Sequence, residues 1–141
     1  MESFEVVMLM RCVLLSVFQD AVPELELLGL HPKAFTLLAS INRFPFPNAL
    51  AKHLFMPPPT ITFMVKELEK KKLVRRTVVT GDLRKYRLRL TKKGEDTVEK
   101  GRAVVGKVMK RRLNRLSKTQ AKALVEALRT LQLTESARGR K

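Results

Sequence analysis

The sequence is poor in the residues that most chemistry needs. Its 141 residues include no tryptophan, one tyrosine, one cysteine and two histidines. A single cysteine, Cys12, excludes an intramolecular disulfide framework and fits a reducing compartment. His31 and His53 have no second His, Cys or carboxylate at ligand spacing, so no metal site is expected. No nucleophile–base pair, glycine-rich phosphate loop or pair of catalytic carboxylates can be found, so neither an enzyme nor a bound cofactor is expected. Long hydrophobic runs are also missing. The longest, Val6 to Phe18, is broken by Arg11 and Ser16 and falls short of the roughly 20 residues that span a bilayer, so no membrane partner is expected. Met1-Glu2-Ser3-Phe4-Glu5 is acidic where a signal peptide is basic, which points to the cytoplasm.

Acidic residues are scarce as well, at 13 against 29 Lys and Arg, for a net charge of +16. That charge is unevenly placed. Residues 1–56 carry four basic and five acidic residues, net −1, whereas residues 57–141 carry 25 and eight, net +17. Such a block implies a polyanionic partner, nucleic acid first. The length suits one domain, or one domain with an oligomerisation element.

From Phe4 to about Ala21 nearly every position is apolar, which predicts a helix covered on all sides. One small core cannot surround such a helix; a second copy of the chain can. Pro23, Gly29 and Pro32 punctuate a loop. A helix over about Pro32 to Asn42 follows, with Phe35, Leu38 and Ala39 inward. Phe44-Pro45-Phe46-Pro47 reads as an extended connector, and Asn48 as the cap of a short helix from Ala49 to Phe55. Met56-Pro57 ends it, and Pro58 or Pro59 suits the first turn of the next helix, which runs to about Lys72. A short helix, a tight turn and a longer amphipathic helix make a helix-turn-helix.

That longer helix splits by periodicity. Ile61, Met64, Val65 and Leu68 form one apolar stripe, while Pro59, Phe63, Lys66 and Lys70 share the opposite face, flanked by Thr60 and Thr62. Lysines, hydroxyls and an exposed ring suit phosphates, base edges and thymine methyls. The alternative is a solvated basic face with Phe63 packed on a neighbouring turn. Beyond Leu73 the period becomes 2, with Tyr86, Leu88 and Leu90 alternating with Arg87 and Arg89. With Val74 to Val79 this makes a hairpin turning at Thr80-Gly81-Asp82, a wing whose tip carries Asp82, Arg84 and Lys85. Pro59, Thr60, Thr62, Phe63 and Lys66 are the candidates for base edges, Arg84 and Lys85 for the minor groove, and Lys70, Arg75, Arg76 and Arg87 for phosphates. Thr91 caps a long helix to about Leu116, weakened at Gly101 and Gly106 by up to about 1 kcal/mol each. Ser117-Lys118-Thr119-Gln120 is a capping box for a last helix bearing Leu124, Val125, Leu128 and Leu131, and a frayed basic tail from Thr134 follows.

The spaced set Leu50-Ala51-x-x-Leu54, Thr60-Ile61-Thr62, Leu68-Glu69-Lys70-Lys71, Leu73-Val74, Arg76, Asp82-x-Arg84 and Leu90-Thr91-x-x-Gly94 resembles the MarR family of winged-helix transcriptional regulators. The resemblance implies a mainly α fold with a small two- or three-stranded β-wing, a winged helix-turn-helix plus a helical dimerisation region. It implies dimerisation through residues 1–31 and 94–133, DNA binding through 32–93 and a basic tail over 134–141. It further implies a homodimer on a pseudopalindromic site in double-stranded DNA, usually a repressor released by a small, often aromatic, ligand. Asp82 would fix the wing and Arg84 would enter the minor groove. The family pattern is departed from at Pro57, where Ser or Thr is common, at Phe63, where a basic or polar residue is common, and at Lys72, where glycine is usual. From other classes, the chain reads as an RNA-binding or ribosome-associated module, as an architectural protein coating DNA without sequence choice, or as a thiol sensor through Cys12. For Cys12 the opposing reading is a small hydrophobe among Leu9, Val13 and Leu15, kept inert by burial.

Overall fold

The computed structural model describes residues 1–79 and 81–138, with the backbone alone for 82–84 and 133–138. The elements are α1 (Ser3–Leu27), α2 (Pro32–Ser40), α3 (Pro47–Leu54), α4 (Pro58–Lys70), β1 (Val74–Val79), β2 (Asp82–Leu90), α5 (Lys92–Leu113) and α6 (Lys118–Arg138). The chain divides into two compact units, Met1–Gly106 and Lys107–Lys141. The first is a winged helix-turn-helix with α1 leading into it, and the second is dominated by α6.

In the first unit, α2, α3 and α4 pack around Leu37, Leu38, Ile41, Leu50, Ile61, Val65 and Leu68, each at most 1% exposed. The stripe expected on α4 is the buried one: Ile61, Met64, Val65 and Leu68 all face inward. On α2 the inward set is Ala34, Phe35, Leu37 and Leu38, with Ala39 only half-buried. β1 and β2 form a two-stranded antiparallel sheet, Val74 opposite Leu90 and Arg76 opposite Leu88. The extended Phe44–Pro47 connector lies beside β2, where the Leu88 N–H donates to the Pro45 carbonyl at 2.7 Å. The sheet has two strands, and the connector joins its edge through this one backbone bond.

α1 departs most from expectation. It continues through Pro23 to Leu27 instead of stopping near Ala21. Proline inside a helix removes one N–H and costs roughly 3 kcal/mol. Here the carbonyl that loses its partner belongs to exposed Gln19, while Ala21 and Leu25 on either side of Pro23 are buried. Tertiary burial overrides the local breaker. The N-terminal half of α1 is the opposite case: Phe4, Val7, Leu9, Leu14 and Leu15 are each at least 50% exposed. At 25 residues α1 is also long and apolar enough, by length and composition, to cross a membrane. The apolar stretch Val6 to Phe18 alone is too short for that; the helix gains the length by continuing through Pro23 to Leu27.

The caps explain several boundaries. α3 starts two residues earlier than expected, with Pro47 at its first position and Phe46 before it, so Asn48 lies inside the helix and is not its cap. α6 has the expected reciprocal box: the Ser117 N–H donates to Gln120 Oε1 at 2.9 Å and the Gln120 N–H to Ser117 Oγ at 3.1 Å. The helix runs to Arg138, beyond the point at Thr134 where fraying was expected. α5 stops at Leu113, short of the Leu116 expected. Gly101 is no mere weakness in α5. A Cβ there would strike the Phe35 ring, so the missing side chain lets α5 approach α2.

α1 and α4 end in the same hydrogen-bonded motif. After α1, the Leu30 N–H bonds the Leu25 carbonyl and Gly29, at φ +76°, bonds Glu26. After α4, Leu73 bonds Leu68 and Lys72, at φ +59°, bonds Glu69. Glycine suits that left-handed position, and lysine does not. The left-handed geometry costs an L-residue about 1–2 kcal/mol, of which glycine's greater unfolded freedom would return about 0.5–1. Lys72→Gly should therefore raise stability by about 0.5–1 kcal/mol. A urea midpoint that stays put or falls would show that the lysine side chain offsets the strain.

Candidate nucleic-acid interface

The outward face of α4 carries what its spacing promised. Pro59, Thr62, Phe63, Lys66 and Lys70 are exposed and Thr60 is half-buried. Phe63 is 64% exposed, which rules out the reading in which it packs on a neighbouring turn. Two of the polar groups have local partners. The Thr62 hydroxyl donates to the Pro58 carbonyl at 3.1 Å, and Lys70 Nζ lies 3.1 Å from Glu67 Oε1. That ion pair is exposed and screened, so it holds Lys70 only weakly.

The wing is set against this face by specific contacts. Arg76 donates to Glu69 on α4, and its guanidinium lies 4.5 Å over the Tyr86 ring. It therefore ties β1 to α4 while Arg76 itself stays exposed. Arg75 stands opposite Arg89, and Thr77 opposite Arg87, all exposed. Like charges facing one another across two strands are destabilising in the free protein, and an anion laid over them removes that cost. The Arg87 guanidinium is 6.0 Å from the Phe46 ring centroid. Phe46, Pro47, Asn48, Thr62, Val79, Lys85 and Tyr86 line a groove between the wing, the start of α3 and α4, so Lys85 and Thr62 do share one site. The Asp82 and Arg84 side chains lie outside the described residues, as do the side chain of Arg138 and the whole of Arg140 and Lys141.

Arg89, absent from the phosphate candidates, shares the alternation of Arg87 and the same exposed strand face. Phe46, in the connector, carried no periodic signal at all. Of the remaining candidates, His31 caps α2 by accepting the Ala34 N–H at 3.3 Å, and His53 stacks on Phe44 with centroids 4.1 Å apart. Both histidines thus have structural tasks, and no metal-holding cluster occurs among the described residues. Cys12 is exposed in the single chain, within the uncovered apolar half of α1.

Residues 28–85 match the sequence model of the MarR family. Over that stretch the winged helix-turn-helix resembles the MarR family. Solved structures agree with it in fold over most of their length. The MepR–DNA complex of S. aureus is 23% identical with a TM-score of 0.74, covering 89% of this chain and 94% of that one. The apo form of wild-type MarR from E. coli is 23% identical with a TM-score of 0.76, covering 87% and 93%. The transcriptional repressor CouR, bound to a 23-mer DNA duplex, is 26% identical with a TM-score of 0.75, covering 87% and 89%. The Arg76–Glu69 link gives the spacing of those two residues a physical reason.

Proposed function

We propose that this chain is a sequence-specific regulator of transcription that binds double-stranded DNA as a homodimer. The observation that carries the reading is the outward face of α4, where Phe63, Lys66 and Lys70 stand exposed beside a hairpin bearing Arg75, Arg87 and Arg89. MepR and CouR, which share the fold, have been seen on DNA. The uncovered apolar half of α1 supports dimerisation through residues 1–31 with 94–133, in the cytoplasm. A dimer would set two copies of α4 in successive major grooves, about 34 Å apart on a pseudopalindromic site. Repression, and its relief by a small aromatic ligand, follow from the family resemblance.

Selection of bound sequences from a random duplex pool tests the proposal. The expected product is a two-fold symmetric site preferred by at least about 10³-fold over unrelated DNA. Equal binding to all duplexes would indicate an architectural protein, and preference for RNA a ribosome-associated one. Either result sinks the proposal. Within the site, Arg84→Ala should weaken specific binding by at least about 1 kcal/mol. Unchanged affinity in a mobility-shift titration would mean that the wing does not reach the minor groove.

A further inference from the structure

We infer that α4 reads its site chiefly through thymine methyl groups, with Phe63 as the specificity-determining residue. The inference rests on the proposed binding of duplex DNA by α4. It follows from an inventory of what this face can donate. A recognition helix normally presents orphan N–H groups at its start, and these hold phosphates or base edges. Here Pro57, Pro58 and Pro59 have no N–H to offer. The next two, from Thr60 and Ile61, both bond the Pro57 carbonyl, at 3.0 and 3.2 Å. The start of α4 therefore has no backbone donor to spare.

The side chains add little directional capacity. Base pairs are distinguished in the major groove mainly by bidentate contacts from Arg, Asn or Gln, or by apolar contact with the thymine methyl. The outward face contains no Arg, Asn or Gln. Thr62 has already committed its hydroxyl proton to Pro58, and Thr60 flanks the face half-buried, with a single hydroxyl that cannot make a bidentate contact. Lys70 is shared with Glu67, and Lys66 is a point charge without fork geometry. What stands out from the face is apolar: Pro59 and the 64%-exposed Phe63 ring. A large exposed ring between cations, on a helix stripped of donors, fits the one major-groove feature that is itself apolar. The arginines of the wing then supply affinity and this ring supplies choice.

The test uses the full chain and the selected site from the pool experiment. Each thymine is replaced in turn by deoxyuridine, which removes the 5-methyl and leaves pairing and the O4 acceptor intact. At one or more thymines in each half-site, affinity should fall about fourfold, the loss that goes with uncovering one methyl group. Phe63→Ala protein should bind the thymine and deoxyuridine sites alike, while Lys66→Ala should weaken both and keep the fourfold ratio. Because Phe63 is exposed, its removal leaves the core intact, which a circular dichroism melt verifies. Equal binding of wild-type protein to every substituted site, or a Phe63→Ala variant as sensitive as wild type, overturns the inference while the regulator reading stands. A pool that yields no preferred duplex overturns both.

Discussion

Gly94→Ala should cost this protein at least about 2 kcal/mol of stability, near the upper range for overpacking. A Cβ at Gly94 would intrude on the Leu73 carbonyl oxygen, with the carbonyl carbon only 3.1 Å away. The obstacle is backbone, so no rotamer change relieves it. That carbonyl is also in use, accepting the Thr91 N–H at 3.0 Å. Thr91 in turn caps α5 by accepting the Gly94 N–H at 3.0 Å and donates its hydroxyl proton to the Lys72 carbonyl at 2.6 Å. One joint therefore holds the end of α4, the base of the wing and the start of α5. At roughly 2–4 °C per kcal/mol for a chain of this size, the melting temperature should fall by about 4–8 °C or more. DNA affinity should fall with it as the wing shifts. Gly106→Ala is the control, because no atom lies within 4 Å of its would-be Cβ. There alanine should add up to about 1 kcal/mol through helix propensity. Equal melting temperatures for the two variants would show that the Leu73 joint yields freely.

Leu14→Asp should convert the proposed dimer into a monomer and reduce affinity for the selected site by more than 100-fold. Leu14 is 58% exposed in the single chain and sits among Val7, Leu9, Met10, Val13 and Leu15, all at least 45% exposed. A contiguous apolar surface of this kind marks an interface. A charge placed without a partner in such an interface costs at least about 3 kcal/mol, and each 1.4 kcal/mol is tenfold in the association constant. Sedimentation in detergent-free buffer measures the state, and titration with the selected site measures the consequence. A wild-type protein that sediments as a monomer and partitions onto lipid vesicles would assign α1 to a membrane instead. A variant that remains dimeric would move the interface elsewhere.

Legibility in the sequence followed the range of the interaction. The faces of α4, the alternation of β2, the Thr91 cap and the Ser117–Gln120 box were all readable, because each depends on residues at most about one turn apart or on alternate positions. Two local signals misled. Pro23 predicts a helix end and Asn48 a cap, yet burial beside Pro23 and a proline start at Pro47 prevail. Arg76 looked like its neighbour Arg75, and only the approach of Glu69 and Tyr86 gives it a different task. Likewise nothing in the local sequence shows what Gly94 and Gly101 pack against, or that Gly106 packs against nothing. Leu73 and Phe35 make the first two indispensable, and nothing lies near the third.

By itself the sequence determined which segments are helical or extended, which face of each is apolar, and that a strongly cationic portion seeks a polyanion. Those properties follow from side-chain periodicity and charge, which no partner needs to supply. Tertiary structure alone decided which cations remain available to a ligand, which glycines admit a neighbouring backbone or ring, and which part of α1 is left uncovered. Each of these depends on atoms brought together from distant positions, and a linear pattern holds no record of that distance.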